Sequence, residues 1–392
     1  MKMRVFIVLL VCLAFVLTTW ADKPPKDELW KLRKMGRNQN SIVVMTRNVY
    51  VGGHVDRILE AADPNAIPFL VTETFMEMLS TNFFYRAEAL ADEIMEGKPH
   101  LIGLQEISTI YTQSPGDYLL GGTQPATDLV FDYLQILREA LTARELEYEV
   151  AGIITNFDVE MPMFVGPDPY NPLDYDDARL IDFDVLLARK DVEIFDVVEQ
   201  NFTDSIKLMG FIPILRGYVA AKIKVGRKMY WVASTHLEPE DPEVKQNQGV
   251  ELITFLQNKE LPIIVLGDLN TPAPTDQTYQ TFLANGYVDT WVKNLVKPII
   301  QGNTASSDPD LPLGPILRNP SRILDHRIDL ILVKSQTGIS GYHSIGPVWS
   351  YVVGDELNDR FYFEYDGLYP WLWPSDHAGV IALLRIPYIQ KF

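Results

Sequence analysis

The chain has 392 residues, 34 Lys+Arg against 52 Asp+Glu, a formal net charge of -18, 47% hydrophobic residues and one cysteine. Its hydrophobic share excludes a disordered or collagen-like chain, and at ~150 residues per domain the length allows one large domain or two small ones. The acid excess argues against a long polyanion held by bulk charge, but it is compatible with a site where bound metal supplies the positive charge.

In chain order, Lys2 and Arg4 precede an apolar run, Val5 to Val16, and Thr19-Trp20-Ala21 sets small residues before a cleavage point. This is the form of a secretory signal peptide over 1–21; the run falls short of the ~20 residues a spanning helix needs. The secreted protein would then lose Cys12 and the charges of Lys2 and Arg4, moving from -18 to -20. Disulfides, cysteine nucleophiles and cysteine-ligated zinc are thereby excluded. A polar lead-in follows over 22–40. Hydrophobic periodicity predicts a strand at 42–45, helices at 54–62, 68–80 and 85–95, and a strand at 101–105. It continues with a helix at 126–144 and strands at 147–154, 183–189, 217–225 and 229–235. A helix at 242–258 leads to strands at 263–266, 328–333, 340–346 and 378–386. Strands joined directly to strands, with helices between others, indicate α/β with packed mixed sheets. The stretch 157–179 holds Pro162, Pro167, Pro169 and Pro172 among acids and reads as a long surface loop, a lid or binding loop. Its acids read first as a solvated loop, with a Ca²⁺ site as the lesser alternative because their spacing fits no EF-hand. No linker divides the chain, so 41–392 reads as a single domain with insertions at about 50–82 and 157–179.

Polar residues repeatedly close or open the apolar strands. Asn48 follows Met45-Thr46-Arg47, Glu106 follows Leu104-Gln105, and His236 follows Ser234-Thr235. Asp268 and Asn270 end Ile263 to Asn270, Asp329 follows Arg327-Ile328, and Ser375-Asp376-His377 opens the last strand. One Asp or Asn at a strand end is usually a turn former. Such residues on many strands are another matter, because strand ends along one rim are where α/β sheets assemble sites. Carboxylates and amides without cysteine point to Mg²⁺, or to Mn²⁺ or Ca²⁺. A hard cation with histidines suits phosphoester hydrolysis.

The ordered blocks Thr46-Arg47-Asn48, Leu104-Gln105-Glu106, Ser234-Thr235-His236-Leu237, Gly267-Asp268-Leu269-Asn270, Arg327-Ile328-Asp329 and Ser375-Asp376-His377 resemble the endonuclease/exonuclease/phosphatase superfamily. Its members include DNase I-like nucleases and neutral sphingomyelinases, and this wording looks like a secreted branch. The resemblance implies a four-layer sandwich of two stacked mixed β-sheets flanked by helices, with the site at one edge. It implies Glu106 as the principal metal ligand, with Asn48 near it and Asp376 completing the site. Asp268 would prepare the attacking water and Asn270 would hold the phosphate. His236 would bond the scissile phosphate, and His377 would be fixed by Asp329. Where the nucleases carry an acid before the strand matching 183–189, Asp182 could support a histidine; their tyrosine has no clear counterpart here. Glu238 lies two residues beyond His236, as a salt-bridge or catalytic group. Arg47, Arg179, Arg216 and Arg327 lie beside the blocks as phosphate contacts.

Aromatics flank the last block, from Phe361 to Tyr365 and from Tyr369 to Trp373. Alternation suits a half-buried strand, while Trp371 and Trp373 could form a substrate rim or touch a membrane peripherally. Met209 to Leu215 is a second apolar segment, a core strand or a membrane-facing loop. No Lys/Arg cluster accompanies them, which favours a lipid-headgroup or small phosphodiester, sphingomyelinase-like, over a DNase I-like endonuclease acting on nucleic acid. A phosphomonoesterase and an inactive binding module are the remaining readings, and no stable protein partner is implied.

Overall fold

The computed structural model describes residues 41–59, 61–208, 212–295, 302–306, 316–335, 348–364 and 370–387. One sheet joins β1 (Ile42–Asn48), β2 (Leu101–Gln113), β3 (Asp128–Asp132), β4 (Tyr148–Phe164), β5 (Tyr175–Arg189), β14 (Val348–Val353) and β17 (Gly379–Leu384). Its order is β14-β17-β1-β2-β5-β4, with β3 beside β2. The other joins β6 (Glu193–Asn201), β9 (Gly217–Val225), β10 (Lys228–His236), β11 (Ile263–Asp268), β12 (Val288–Asp289) and β13 (Asp329–Lys334), in the order β12-β13-β11-β10-β9-β6. Both are mixed: β1 runs parallel to β2 and β10 parallel to β11, and the other pairs are antiparallel.

Alternation along each strand builds the layers. Successive side chains point to opposite faces. Ile42 and Val44 of β1 therefore join Ile264 and Leu266 of β11 in a core between the sheets. Val43 and Met45 point the other way, onto α3 (Phe83–Gly97) and α4 (Tyr133–Ala143), where they meet Leu90, Ile94 and Leu137. Ile263 and Val265 face α5 (Pro242–Leu256) and α6 (Gln277–Ala284), against Leu252 and Phe282. Three cores between four layers make this a sandwich of two mixed sheets with helices outside. The outer helices start where side chains satisfy their first amides. Asp132 accepts from Gln135 N, and Asp241, with Pro242 next, accepts from Glu243 N and Val244 N.

A fourth, smaller cluster lies beyond the main layers. There α2 (Ile67–Thr81), preceded by the single turn α1 (Asp56–Leu59), packs on the β4–β5 hairpin through Ile67, Val71 and Met163. Two short ribbons complete the described elements: β7 (Ile206–Leu208) with β8 (Ile212–Ile214), and β15 (Phe361–Tyr362) with β16 (Trp371–Leu372).

Several elements differ from the periodicity. The stretch 157–179 is no loop. β4 and β5 run through it, paired from Tyr148↔Arg189 to Phe164↔Tyr175 with bulges between Val150 and Gly152 and between Thr155 and Phe157, so only 165–174 turns. Phe157, Val159, Met161 and Met163 alternate with polar neighbours, a strand pattern that Pro162 and the acids obscure. The acids there serve the hairpin rather than a Ca²⁺ site: Asp158 binds Arg179, Glu160 accepts from Ala126 N, and Asp177 accepts from Asp117 N and Tyr118 N. The helix expected at 126–144 begins only at Tyr133, because β3 precedes it. The helix expected at 54–62 shrinks to α1. The strand expected at 340–346 lies outside the described residues, as do 209–211 of the Met209 to Leu215 segment.

Candidate active site

The site follows from carrying the inter-sheet face two residues past the apolar core. Val44, Thr46 and Asn48 share one face of β1. Val232, Ser234 and His236 do so on β10, Leu266 and Asp268 on β11, and Ile331 and Asp329 on β13. Register then sets them side by side: His236 is opposite Asp268, and Asp268 is opposite Asp329. Asn48 reaches across to the second sheet, its Nδ2 donating to Asp268 Oδ2 at 3.2 Å and to Glu106 Oε1 at 2.7 Å.

Glu106 needs a distortion to join them. By alternation it would face the helices with Leu104. The β2–β5 register instead shifts between Leu104 and Ile107, and Glu106 takes a left-handed φ of 59°. A bulge of this kind re-aims a side chain. β2 continues through it to Gln113 rather than ending at Gln105. Glu106 Oε2 then accepts from Val51 N at 2.9 Å. Burial, and next the Asp376 carboxylate, push the Glu106 carboxyl above its ordinary range. Asp376 Oδ1 accepts from His377 N at 2.9 Å and from Ser375 Oγ at 3.2 Å. Asn270, with φ 48°, gives its amide Nδ2 to Leu237 O and its backbone N to Asp268 Oδ1.

The two histidines sit in opposite fields. Burial opposes the charge of His377, yet Asp329, Asp268 and Asp376 outweigh it and hold the ring well above the usual histidine range. Its Nδ1 is 2.8 Å from Asp329 Oδ2. Burial and then the Arg216 guanidinium lower His236 to about 4, so its ring is neutral at neutral pH. Arg216 Nη1 lies 3.0 Å from His236 Nδ1, and Asp184 Oδ1 lies 3.7 Å from it. Nδ1 therefore accepts from Arg216, which leaves the proton on Nε2, 3.6 Å from Asp268 Oδ2.

A cavity of about 490 Å³ holds Glu106, His236, Asp268, Asn270, Asp376 and His377 in its lining, together with Asp182, Arg179 and Arg216. Asp329 stands behind His377. Several expected contributors are elsewhere. Asp182 turns from the histidines to Asn156 Nδ2 at 2.8 Å and Ser108 Oγ at 3.3 Å, and Asp184 takes the place beside His236. Alternation from Leu186 and Ala188 points to both acids equally, so sequence could find the face but not the partner. Burial, partly offset by Arg216, raises Asp184 to about 7. Arg47 is fully buried on Glu93 at 2.8 Å and His377 O at 2.7 Å, and Arg327 pairs with Asp289 at 2.7 Å. Neither reaches the cavity. Glu238 is buried, 4.0 Å from Arg216 Nε, in the salt-bridge role. The tryptophan rim is absent from the lining. Trp373 is buried with Nε1 donating to Asn319 O, and the half-exposed Trp371 rests 4.9 Å from Tyr362 on the β15–β16 ribbon.

The chain matches the family described as Endonuclease/Exonuclease/phosphatase over residues 78–377. Among solved structures it is similar to an endonuclease/exonuclease/phosphatase family protein from Bacteroides thetaiotaomicron. That likeness has 14% identity and a TM-score of 0.51, covering 89% of this chain and 98% of that one. A mannosyl-6-phosphatase from the same organism matches at 14% identity and TM-score 0.49 over 88% of this chain and 99% of that one. Truncated TDP2 from Caenorhabditis elegans matches at 14% and 0.47, over 88% and 97%. No curated protein sequence matches. The match over 78–377, on this fold, shows that the chain belongs to the endonuclease/exonuclease/phosphatase family of metal-dependent phosphoester hydrolases.

Proposed function

We propose that the protein hydrolyses a small or lipid-headgroup phosphodiester with the help of Mg²⁺. The supporting observation is the charge of the cavity lining. Carboxylates and histidines from both sheets meet there, while its only arginines among the described residues are Arg179, tied to Asp158, and Arg216, tied to His236. Such a lining suits one phosphate and offers no basic track for a nucleic-acid backbone.

The residues fit a hard cation. Glu106, lifted by burial and by Asp376, is a carboxylate whose repulsion a divalent ion would relieve. Asn48, whose Oδ1 accepts from Tyr50 N at 2.9 Å, turns its amide nitrogen to Glu106 and orients that carboxylate. Glu106 and Asp376 would hold the ion, with Asn48 positioning Glu106, and the ion when bound neutralises phosphate oxygens. Asp268 orients water and takes its proton. His377, kept charged by Asp329, donates to the phosphate and the departing oxygen, and neutral His236 donates from Nε2. Asn270 holds the phosphate. Asp268, Asp329 and His377 also cluster within 4.8 Å of one another. Because Nδ1 of His377 is already bonded to Asp329, that cluster is read as a proton-holding pair. We also propose secretion, reading the apolar run at 5–16 as part of a cleaved signal; the N-terminus of protein recovered from medium should then begin near Asp22.

The test is a panel of sphingomyelin vesicles, a synthetic aryl phosphodiester, plasmid DNA and RNA, each with Mg²⁺ and with chelator. Hydrolysis of the first two that stops with chelator and returns with Mg²⁺ is expected. Preference for DNA or RNA would replace this reading with a nuclease, and no chelator-sensitive hydrolysis of any member would overturn it. His236→Ala and Asp268→Ala should each lower turnover by about 10²–10⁴ with unchanged circular dichroism.

A further inference from the structure

The cavity is larger than a phosphate requires, and its far end changes character. Away from Glu106 and Asp268 it is walled by Ile58 of α1, Phe75 of α2, Met161 of β4, and Ala178 and Leu180 of β5. Ile58, Phe75, Met161 and Ala178 are four of the five partly buried members of the small cluster between α2 and the hairpin. That cluster thus leaves its apolar face open to the same space as the catalytic groups. Such side chains would ordinarily close on one another to leave water.

The walls are fixed in this open arrangement. Thr72 Oγ1 donates to Phe164 O at 2.7 Å, pinning α2 to β4. Thr74 Oγ1 donates to His54 O at 3.1 Å and Thr81 Oγ1 to Gly52 O at 2.9 Å, pinning α2 to the segment after β1. At Gly53 a Cβ would stand 2.6 Å from Thr74 O, so only glycine allows this approach. The same segment gives Val51 N to Glu106, which joins the apolar wall rigidly to the catalytic carboxylate. Arg179, which lines this end, is held in a two-point pair with Asp158 at 2.7 and 2.5 Å.

We propose that this end is a preformed subsite for a hydrocarbon group esterified to the substrate's phosphate. It rests on the phosphodiester reading and narrows it: one ester group is polar and solvated, and the other is an alkyl chain lying between α2 and the hairpin. Continuity of the cavity selects this occupant, since a group entering there must be attached to whatever the catalytic residues hold.

The experiment is calorimetric titration of the full chain, with Mg²⁺, by methyl-, propyl- and hexylphosphonate below their micellar concentrations. Full burial would tighten binding about fourfold per methylene, and partial burial about twofold. Hexylphosphonate should therefore bind at least about tenfold tighter than methylphosphonate. Ala178→Phe, which fills the space, and Met161→Gln, which makes its wall polar, should each pull that ratio toward one. Equal affinities in the wild-type protein, or an unchanged ratio in both variants with native circular dichroism, would overturn the subsite. Chain-length dependence without turnover of any phosphodiester supports the subsite and sinks the catalytic reading. Turnover without chain-length dependence does the reverse.

Discussion

His236 and His377 face one cavity in opposite protonation states, and their neighbours decide which is which. Asp329 and Asp268 surround His377 with negative charge, while Arg216 stands against His236. Asp184 shares the His236 side, with its carboxyl raised to about 7. Between the ordinary 3.8 and that value the folded chain keeps a proton that the unfolded chain releases. Stability from this group is therefore complete below pH 3.8 and is lost as pH rises through about 7. Asp184→Asn should remove the loss. Urea denaturation in chelator should find the variant more stable than wild type by about 1–3 kcal/mol at pH 8, with the gap narrowing as pH falls below about 7 and closing only toward pH 3.8. His236 has the opposite dependence: its folded value of about 4 costs stability as pH falls below 6.5.

At the scale of elements, buried polar ties hold the site-bearing strands to their supports. Arg47 of β1 and Glu93 of α3 form a two-point pair, at 2.8 and 3.0 Å, with both side chains nearly inaccessible. Arg47→Met would leave the Glu93 carboxylate buried without its partner, at a cost of about 3–5 kcal/mol. Adding Glu93→Leu should recover much of that loss, and thermal melting of the two variants checks it. The last aromatic run divides the same way. Trp373, 2% exposed under the Arg322 guanidinium at 4.2 Å, is a core residue, whereas Trp371 is 50% exposed. Trp373→Ala should cost about 3–5 kcal/mol and Trp371→Ala less than about 0.5 kcal/mol in denaturant titration. The β4–β5 hairpin shows why 157–179 misled: its strand alternation is regular, but prolines and acids tolerated near a hairpin end read locally as a loop.

For the whole molecule, the distance between the sheets is the controlling dimension, because the site is the place where that gap opens. Gly103 sets it near the middle, where a Cβ would come within 2.0 Å of Leu266 Cδ1 and 2.5 Å of Ser234 Oγ. Gly103→Val should push the sheets apart, costing about 1–3 kcal/mol of overpacking. It should also reduce turnover, because Asn48 would be drawn from Asp268 across the gap. Comparing stability and activity of this variant separates it from Trp373→Ala, whose site lies outside the cavity.

Most residues that line the candidate site were legible in the chain because a strand core has period two. Where that period reached the end of an apolar run, a polar residue took the next inward place, as at Asn48, His236 and Asp268. The two-sheet architecture was legible for the same reason, from strands that alternate between two apolar faces. What only the tertiary structure decided involves partners distant in sequence. Asp182 and Asp184 share a face, and packing of the two sheets against each other puts Asp184 at His236. Arg47, Arg216 and Arg327 look equivalent beside their motifs, yet Glu93 and Asp289 draw two of them away and leave Arg216 in the cavity. The apolar end of that cavity has no motif at all, since it exists only where α2 is packed and pinned against the hairpin. A local pattern can say which way a side chain points, but the chain's long-range packing determines what it meets.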